Sequence, residues 1–236
     1  MDDRRLGEQI VPYRGFKSFE TEHAEFFFGR ERIVQNICEA LHQSNPLLII
    51  GSSGSGKSSI IKAGLIPILK NDLWNIFPPI KPGSSLLEKL IETFDKFFVS
   101  EDDSKQLRKV IHSDQGDLCQ IEKFFPDTKK HLLIIDQFEE VFTTLPKNER
   151  QHCIKLLAKI LAKPPVRLKL LLAMRAEALE VCLQYSTLTQ LVQTQTIYIP
   201  PLEESEWKQI IEEPAERADY IIQGGLQNEI LKDVKP

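Results

Sequence analysis

The sequence has few cysteines, and none of them form a recognisable pair. Only four occur in 236 residues, with no Cys-x-x-Cys spacing and no histidine placed to complete a zinc site. This spacing excludes a disulfide scaffold and a zinc finger. We therefore expect reduced thiols, mostly packed in the interior, at Cys38, Cys119, Cys153 and Cys182.

Long apolar runs are also missing. The longest, such as residues 168–174 with Lys169 inside it, fall far short of the ~18 residues that a membrane span needs. The first residues, Met-Asp-Asp-Arg-Arg, are not followed by the apolar core of a signal peptide. We therefore expect a cytoplasmic protein with no membrane partner.

An excess of positive charge is the third absence. The 30 Lys and Arg residues are outnumbered by 34 Asp and Glu, which gives a formal net charge of −4. The whole chain thus exerts no attraction on nucleic acid or anionic lipid, and the composition argues against a nucleic-acid partner. With 42% hydrophobic and 27% charged residues, the sequence is that of a soluble globular protein with a sizeable core.

Five short apolar runs predict the fold class. Continuous apolar runs of this length suit strands that are covered on both faces, as in a parallel sheet. Helical periodicity fills the intervals at residues 86–98 and 153–161. We predict an α/β fold with a parallel sheet of about five strands flanked by helices. The predicted strands are residues 46–50, 73–77, 131–135, 168–173 and 196–199.

Two further segments have a helical character. Residues 101–131 indicate a surface helical insertion between two strands. Beyond residue 203, capping residues precede helices predicted to run through Ile211 and over residues 226–231. This tail looks like the start of a helical subdomain that the chain does not complete.

One segment predicts a phosphate site. It matches G-x-x-x-x-G-K-[ST], directly follows the apolar run 47–50 and precedes a helical segment, which is the context of a P-loop. The predicted binding residues are Gly51, Ser52, Ser53, Gly54, Ser55, Gly56, Lys57 and Ser58, together with Ser59, to which no separate role is assigned.

Each residue type in this loop has a physical purpose. Glycines let successive backbone N–H groups point inward at a phosphate. Lys57 would neutralise the β- and γ-phosphate oxygens, and the Ser58 hydroxyl would coordinate Mg²⁺. The N-terminus of the following helix adds its partial positive charge beneath the phosphates.

The apolar run 131–135 ends in a carboxylate, as a Walker B strand does. Asp136 would hold the hydration shell of the magnesium ion. Glu139 and Glu140 follow within one turn, where a general base could orient an attacking water, and we favour Glu140 slightly. The alternative is that both are helix N-terminal acids that interact with the helix dipole.

A third strand ends in Arg175. At the carboxyl edge of a parallel sheet, such an arginine faces the ligand crevice and could contact the γ-phosphate. The alternative is a salt bridge to Glu177 or Glu180.

Missing motifs narrow the class of P-loop protein. The chain has no Asn-Lys-x-Asp, which excludes a GTPase, and no Leu-Ser-Gly-Gly-Gln before Asp136, which excludes an ABC-type ATPase. The extra strand near residues 73–77 and the acid pair after Asp136 favour the branch of AAA+ and STAND ATPases.

Several segments together resemble the bacterial STAND NTPases of the nSTAND1 type. The resemblance covers nearly the whole chain. It is carried by residues 12–19, 25–31, 51–67, 81–84, 136–140, 174–177, 200–202 and 213–215.

The resemblance implies a site and a domain arrangement. Phe28, Gly29 and Arg30 would lie near the adenine of ATP or ADP, Asp136 near Mg²⁺ and Arg175 near the γ-phosphate. Lys81 and Glu177 depart from the family pattern, in which Arg and Asp are usual. The implied domains are a lead-in (1–24), a P-loop NTPase domain (25–202) and the beginning of an incomplete helical lid (203–236). Independently of the resemblance, the aromatic run 26–28 is equally consistent with a core staple.

The function implied by the resemblance is an ATP-dependent switch in bacterial signalling and defence, with slow hydrolysis. It further implies self-association through this domain, and sensor repeats of WD or TPR type and an effector domain outside this chain. Two alternatives remain open. One is a P-loop phosphotransferase with an acceptor pocket near residues 81–85, and the other is a nucleotide-binding scaffold without turnover.

Overall fold

The computed structural model describes residues 11–97, 100–113, 116–125 and 128–234. The larger of its two compact units contains Asn36–Lys57 and Ile68–Pro200. The smaller contains the described residues of Met1–Gln35, Ser58–Pro67 and Pro201–Pro236. Some predicted segments lie partly outside the described residues, namely 1–10 of the lead-in, Phe98, 114–115 and 126–127 of the insertion, and 235–236 of the lid.

A parallel sheet of five strands forms the described centre of the larger unit. The strands are β1 (Leu47–Gly51), β2 (Asn75–Ile76), β3 (His131–Ile135), β4 (Leu168–Arg175) and β5 (Thr196–Tyr198). They lie in the order β2-β3-β4-β1-β5. All residues of β1 and β3 are buried, as expected for strands with both faces covered. The predicted fold class is confirmed, and each predicted strand position contains an observed strand.

Strand β2 is shorter than predicted, and its flanks explain why. Leu73 has φ 63°, and the Trp74 amide donates to the Leu69 carbonyl at 3.0 Å, so the chain is still closing a helix there. After Ile76, Pro78 and Pro79 have no amide hydrogen to give to a sheet. Pairing resumes only as a single bridge between Ile80 and Ile135.

Helices alternate with these strands. Among the described residues, three 3₁₀ segments (Thr21–Phe26, Leu118–Phe124 and Ala176–Ala178) and one π-helical segment (Ile60–Leu65) supplement them. The described α-helices are α1 (Glu31–Gln43), α2 (Lys57–Ser59), α3 (Ile66–Asn71), α4 (Leu86–Asp95), α5 (Glu101–His112), α6 (Glu140–Thr143), α7 (Lys147–Ala162), α8 (Leu179–Cys182), α9 (Ser186–Thr194), α10 (Glu204–Arg217) and α11 (Leu226–Val234).

The core of the larger unit lies between the sheet and the apolar faces of α4, α7 and α9. Phe77 is fully buried, and its ring lies 4.9 Å from that of Phe94 on α4. The predicted surface insertion is wrong in one respect. Leu107 and Ile111, one turn apart on α5, are fully buried in this core, because α5 is amphipathic and packs through its apolar side.

The smaller unit combines the 3₁₀ segment Thr21–Phe26, the π-helical segment and the two C-terminal helices. The Thr21 hydroxyl donates to the Lys62 carbonyl at 3.2 Å, and the Lys62 ammonium lies 2.8 Å from Glu20. Tyr13 donates its hydroxyl hydrogen to the Ile211 carbonyl on α10. The helices predicted after residue 203 are confirmed as α10 and α11, whereas the domain boundaries at residues 24 and 202 and the lid role stay predictions.

All four cysteines are free thiols, and Cys38, Cys153 and Cys182 are buried. Burial raises the pKa of the Cys153 thiol to about 12. Among the described helices, none has both the length and the apolar character needed to cross a membrane.

A buried asparagine fixes the amino-terminal end of the sheet. The Asn45 side chain, 3% exposed, donates to the carbonyls of Pro165 and Leu168 at 3.1 and 2.7 Å and accepts from the Leu170 amide at 3.0 Å. These bonds tie the start of β1 to the start of β4, and so help to hold the two strands in register.

We expect Asn45→Ala to lower the free energy of unfolding by about 3 kcal/mol, because three backbone groups lose a buried partner. Gln43→Ala, at an exposed position two residues earlier, is the control and should change it by less than about 0.5 kcal/mol. Urea unfolding measures both. Equal midpoints and slopes for the two variants would contradict this role of Asn45.

Candidate functional site

The loop after β1 has the backbone that the sequence motif predicts. Gly54 and Gly56 adopt φ values of 78° and 84°, in the left-handed region that residues with a Cβ avoid. The Ser55 amide donates to the Ser52 carbonyl at 3.2 Å and closes a tight turn. The loop ends at Lys57, where helix α2 begins.

Lys57 is bonded to the loop that precedes it. Its ammonium donates to the carbonyls of Gly51 and Ser52, both at 2.8 Å, and lies 3.4 Å from the Ser55 hydroxyl. Burial lowers the pKa of Lys57, while the carboxylates of Glu139 and Glu177 act in the opposite direction. The Lys57 ammonium therefore lies in the electrostatic field of several charged side chains at the carboxyl end of the sheet.

Asp136 comes directly after β3 and is 3% exposed. Its amide donates to the Ile80 carbonyl at 2.8 Å, and its carboxylate accepts from the Gln137 amide at 3.0 Å. The Phe138 amide then bonds the Ala173 carbonyl of β4 at 2.8 Å. These contacts hold the turn after β3 against the neighbouring strand.

Glu139 and Arg175 form a two-point contact. The Arg175 guanidinium Nε lies 3.0 Å from one oxygen of Glu139, and the Arg175 amide donates to the other at 3.1 Å. Glu139 is only 14% exposed, whereas Arg175 is 49% exposed. Within the described residues, the ion pair of Arg175 is with Glu139 and not with the Glu177 or Glu180 of the sequence alternative.

Glu140 is engaged elsewhere. Its carboxylate accepts from the Gly83 amide at 2.9 Å, in the segment that follows β2. Glu140 thus fixes the 81–84 loop, while Glu139 belongs to the charged group beside Lys57. The roles of both as a water-orienting base stay predictions.

The sequence did not predict the contact of Glu177 with the loop. Its carboxylate accepts from the Ser53 amide at 3.1 Å. The only signal in the sequence was its departure from the family's usual Asp, two residues after Arg175. The larger unit therefore brings together five predicted or newly found charged residues, namely Lys57, Asp136, Glu139, Arg175 and Glu177.

The carboxylate oxygens of Asp136 are chemically suited to bind magnesium. A buried carboxylate oxygen is a hard ligand, and Mg²⁺ typically takes one or two such oxygens together with phosphates and waters. The described residues contain no group of three or more His, Cys, Asp or Glu side chains that could hold a metal ion. The predicted roles of Asp136 and Ser58 as magnesium ligands both stay predictions.

The remaining predicted site residues belong to the smaller unit. Phe28 is half-buried, while Gly29 and Arg30 are buried. The Gly29 amide donates to Glu31 at 3.0 Å, and the Arg30 guanidinium lies 3.7 Å from Glu206 on α10. Burial lowers the pKa of Arg30, and Glu206 opposes that shift. The predicted adenine contacts of these residues stay predictions.

Ser59 and the aromatic residues Phe26 and Phe27 also belong to the smaller unit. The Ser59 hydroxyl accepts from the Phe19 amide at 3.1 Å within the smaller unit. Phe26 is buried, and the ring of Phe27 lies 5.8 Å from that of Phe19. This packing supports the core-staple alternative for the first two aromatics of the run.

Comparison with known families now decides the class. A model of nSTAND1, Novel STAND NTPase 1, matches residues 12–236. The chain belongs to the nSTAND1 family. The resemblance inferred from the sequence is confirmed, and this nSTAND1 chain is a P-loop NTPase of the STAND type. No curated protein matches it.

Solved structures share the fold of this nSTAND1 chain. The Walker-type ATPase PABY2304 of Pyrococcus abyssi has a TM-score of 0.61 at 15% identity, over 93% of this chain and 65% of its own. AMPPCP-bound DnaA from Aquifex aeolicus has a TM-score of 0.55 at 13% identity, over 90% of this chain and 59% of its own. Cdc6p from Pyrobaculum aerophilum has a TM-score of 0.53 at 16% identity, over 83% of this chain and 51% of its own. The chain thus spans between about half and two thirds of each of these structures, and identities this low show a common fold alone.

We expect Gly29→Ala to destabilise the smaller unit more than Gly15→Ala does. Both glycines have positive φ, 76° and 59°, so both alanines are strained by about 1 kcal/mol. A Cβ at Gly29 would also lie 2.7 Å from the Glu206 carbonyl oxygen and 2.8 Å from Ile210, whereas one at Gly15 meets nothing within 4 Å. The clash should add about 1–3 kcal/mol.

Trp207 on α10 supplies the signal for this measurement, in a Trp74→Phe background that removes the other tryptophan. Urea unfolding followed by fluorescence gives the two free energies. Equal losses for Gly15→Ala and Gly29→Ala would show that Gly29 is not required for close packing against α10.

Proposed function

We propose that this nSTAND1 domain binds Mg-ATP at the loop Gly51–Ser58 and acts as a nucleotide-dependent switch with slow hydrolysis. The observation that carries the proposal is the meeting of Lys57, Asp136, Glu139 and Arg175 at the carboxyl end of the parallel sheet. Ligands of α/β proteins bind at this edge, where the strand ends and the following loops form a crevice.

Each group has a chemical role in this proposal. Loop amides and Lys57 would bind the phosphate oxygens, and Asp136 and Ser58 would hold a magnesium ion, which would neutralise part of the phosphate charge. Arg175 stabilises the charge that develops on the γ-phosphate. From the family resemblance, we also propose that Phe28, Gly29 and Arg30 bind adenine. The choice of ATP over GTP is supported by the absence of an Asn-Lys-x-Asp sequence.

Glu139 is the better placed of the two acids to orient water. Its charge acts on Lys57 and its carboxylate contacts Arg175, two groups of the proposed phosphate site, whereas Glu140 contacts the Gly83 amide in the 81–84 loop. A general base must lie within hydrogen-bond reach of the proton it accepts. The place of each carboxylate in the fold is therefore a better guide to the base than its place in the sequence.

The switch role rests on the family rather than on one contact. We propose that the bound nucleotide controls self-association in a longer protein, whose sensor repeats and effector lie outside these residues. The structural neighbours support the nucleotide-binding fold, and AMPPCP is bound to one of them. The helices α10 and α11 would form the beginning of the lid.

We expect Lys57→Ala to weaken ATP binding by about a hundredfold or more in Mg²⁺ buffer, because the ammonium is the main counter-charge in the loop. Lys70→Ala, which removes the same charge at an exposed position of α3, is the control and should leave binding unchanged. Isothermal titration calorimetry measures both. The same affinity in the two variants, or no binding by the unaltered chain, would overturn the proposal.

We expect Glu139→Gln to slow single-turnover ATP hydrolysis by about a hundredfold while changing ATP affinity only a few-fold, since an amide cannot accept the proton of water. Glu140→Gln is the matched variant and should retain most of the rate. The reverse order would assign the role to Glu140. ATP consumption that depends strictly on an added small acceptor would instead identify a phosphotransferase.

A further inference from the structure

Glu177 holds a backbone donor of the phosphate-binding loop. The residue lies in the 3₁₀ turn Ala176–Ala178 that follows β4, and its carboxylate Oε1 accepts from the Ser53 amide at 3.1 Å. The contact joins residues 124 positions apart in sequence, so it is produced by the fold and not by a local turn. The group that accepts the Ser53 hydrogen bond is an anion, as a bound phosphate would be.

The surroundings keep this carboxylate charged. Hydrogen bonds from its own amide and from the Ser53 amide lower the pKa of Glu177, and the charges of Lys57 and Arg175 lower it further. Glu177 in turn favours the charged form of Lys57. At neutral pH the loop therefore interacts with a full negative charge supplied by the same chain.

A carboxylate and a phosphate make the same demands on such a loop. Both accept hydrogen bonds from backbone N–H groups, and both are attracted to an ammonium. One amide hydrogen cannot serve two anions at full strength. Two anions close together also repel each other, which reduces the affinity of the loop for the second one.

We propose that Glu177 competes with the nucleotide phosphates for the Ser53 amide and for the charge of Lys57, and so sets the affinity of the loop for polyphosphates. The inference rests on the proposed nucleotide function and adds a residue that discriminates by phosphate charge. Its effect grows with the number of phosphates. It is therefore largest for ATP, smaller for ADP and absent for adenosine.

Three variants of the full 236-residue chain test this competition. Glu177→Gln removes the charge but keeps an oxygen that can accept from Ser53, and Glu177→Ala removes both. Glu180→Gln removes the same charge from an exposed residue three positions later and is the control. Isothermal titration with ATP, ADP and adenosine in one Mg²⁺ buffer gives the affinities. Repeating it at higher ionic strength screens the repulsion.

We expect Glu177→Gln to bind ATP about three- to tenfold more tightly than the unaltered chain, a moderate gain because the carboxylate is exposed and partly screened. Glu177→Ala should bind at least as tightly, and Glu180→Gln should stay within about twofold. The gain should shrink for ADP, vanish for adenosine and fall with added salt.

Results that contradict the role of Glu177 can be told apart from results that contradict the proposed nucleotide binding. Unchanged or weaker ATP binding by Glu177→Gln, with normal binding by the unaltered chain, overturns the inference and leaves the proposed function standing. An equal gain for adenosine would also overturn it, because the effect would then not concern phosphate. Absence of ATP binding by the unaltered chain overturns both.

Discussion

The site of the larger unit depends on the register of three parallel strands. Strand β4 lies between β1 and β3, with Gly51 opposite Arg175 and Ile135 opposite Leu172. Because parallel strands end at the same edge, this register alone places the phosphate loop, Asp136 and Arg175 side by side. A slip by one residue would turn every side chain of a strand to the opposite face, and both faces here are buried. The bonds of Asn45 resist such a slip from the other end of the strands.

Charge balance is the second constraint at this edge. Two cations and three carboxylates lie close together: Arg175 forms an ion pair with Glu139, and Glu177 accepts a hydrogen bond from the Ser53 amide. Lys57 donates to backbone carbonyls of its own loop. Lys57, Arg175 and the Ser53 amide, three of the groups that would bind phosphate, therefore already have partners within the chain. Ligand binding at such a site is an exchange of partners, so its net free energy is a difference between two sets of hydrogen bonds.

The parts of this site that the sequence predicts are those encoded by neighbouring residues. The loop motif and the strand that ends at Asp136 are each continuous in sequence, and apolar runs mark buried strands. The partners of Glu139 and Glu177 lie 36 and 124 residues away, so they depend on strand order and side-chain conformation, which no local pattern contains. The shortening of β2 follows from Leu73, whose left-handed conformation is atypical for leucine and was not predicted from its residue type. The burial of α5 was missed because its polar first turn dominates its composition.

Gly29 and Arg30, in the smaller unit, lie in close contact with α10. Gly29 is required because the α10 backbone at Glu206 passes where a Cβ would be, and the next residue, Arg30, is buried with its charge near Glu206. The attraction between the Arg30 and Glu206 charges therefore adds to the close packing of this segment against α10. Phe28 directly precedes these residues. Under the proposed function, adenine would contact Phe28 directly beside this closely packed junction, so nucleotide binding and the packing of α10, the helix that begins the proposed lid, would involve adjacent residues.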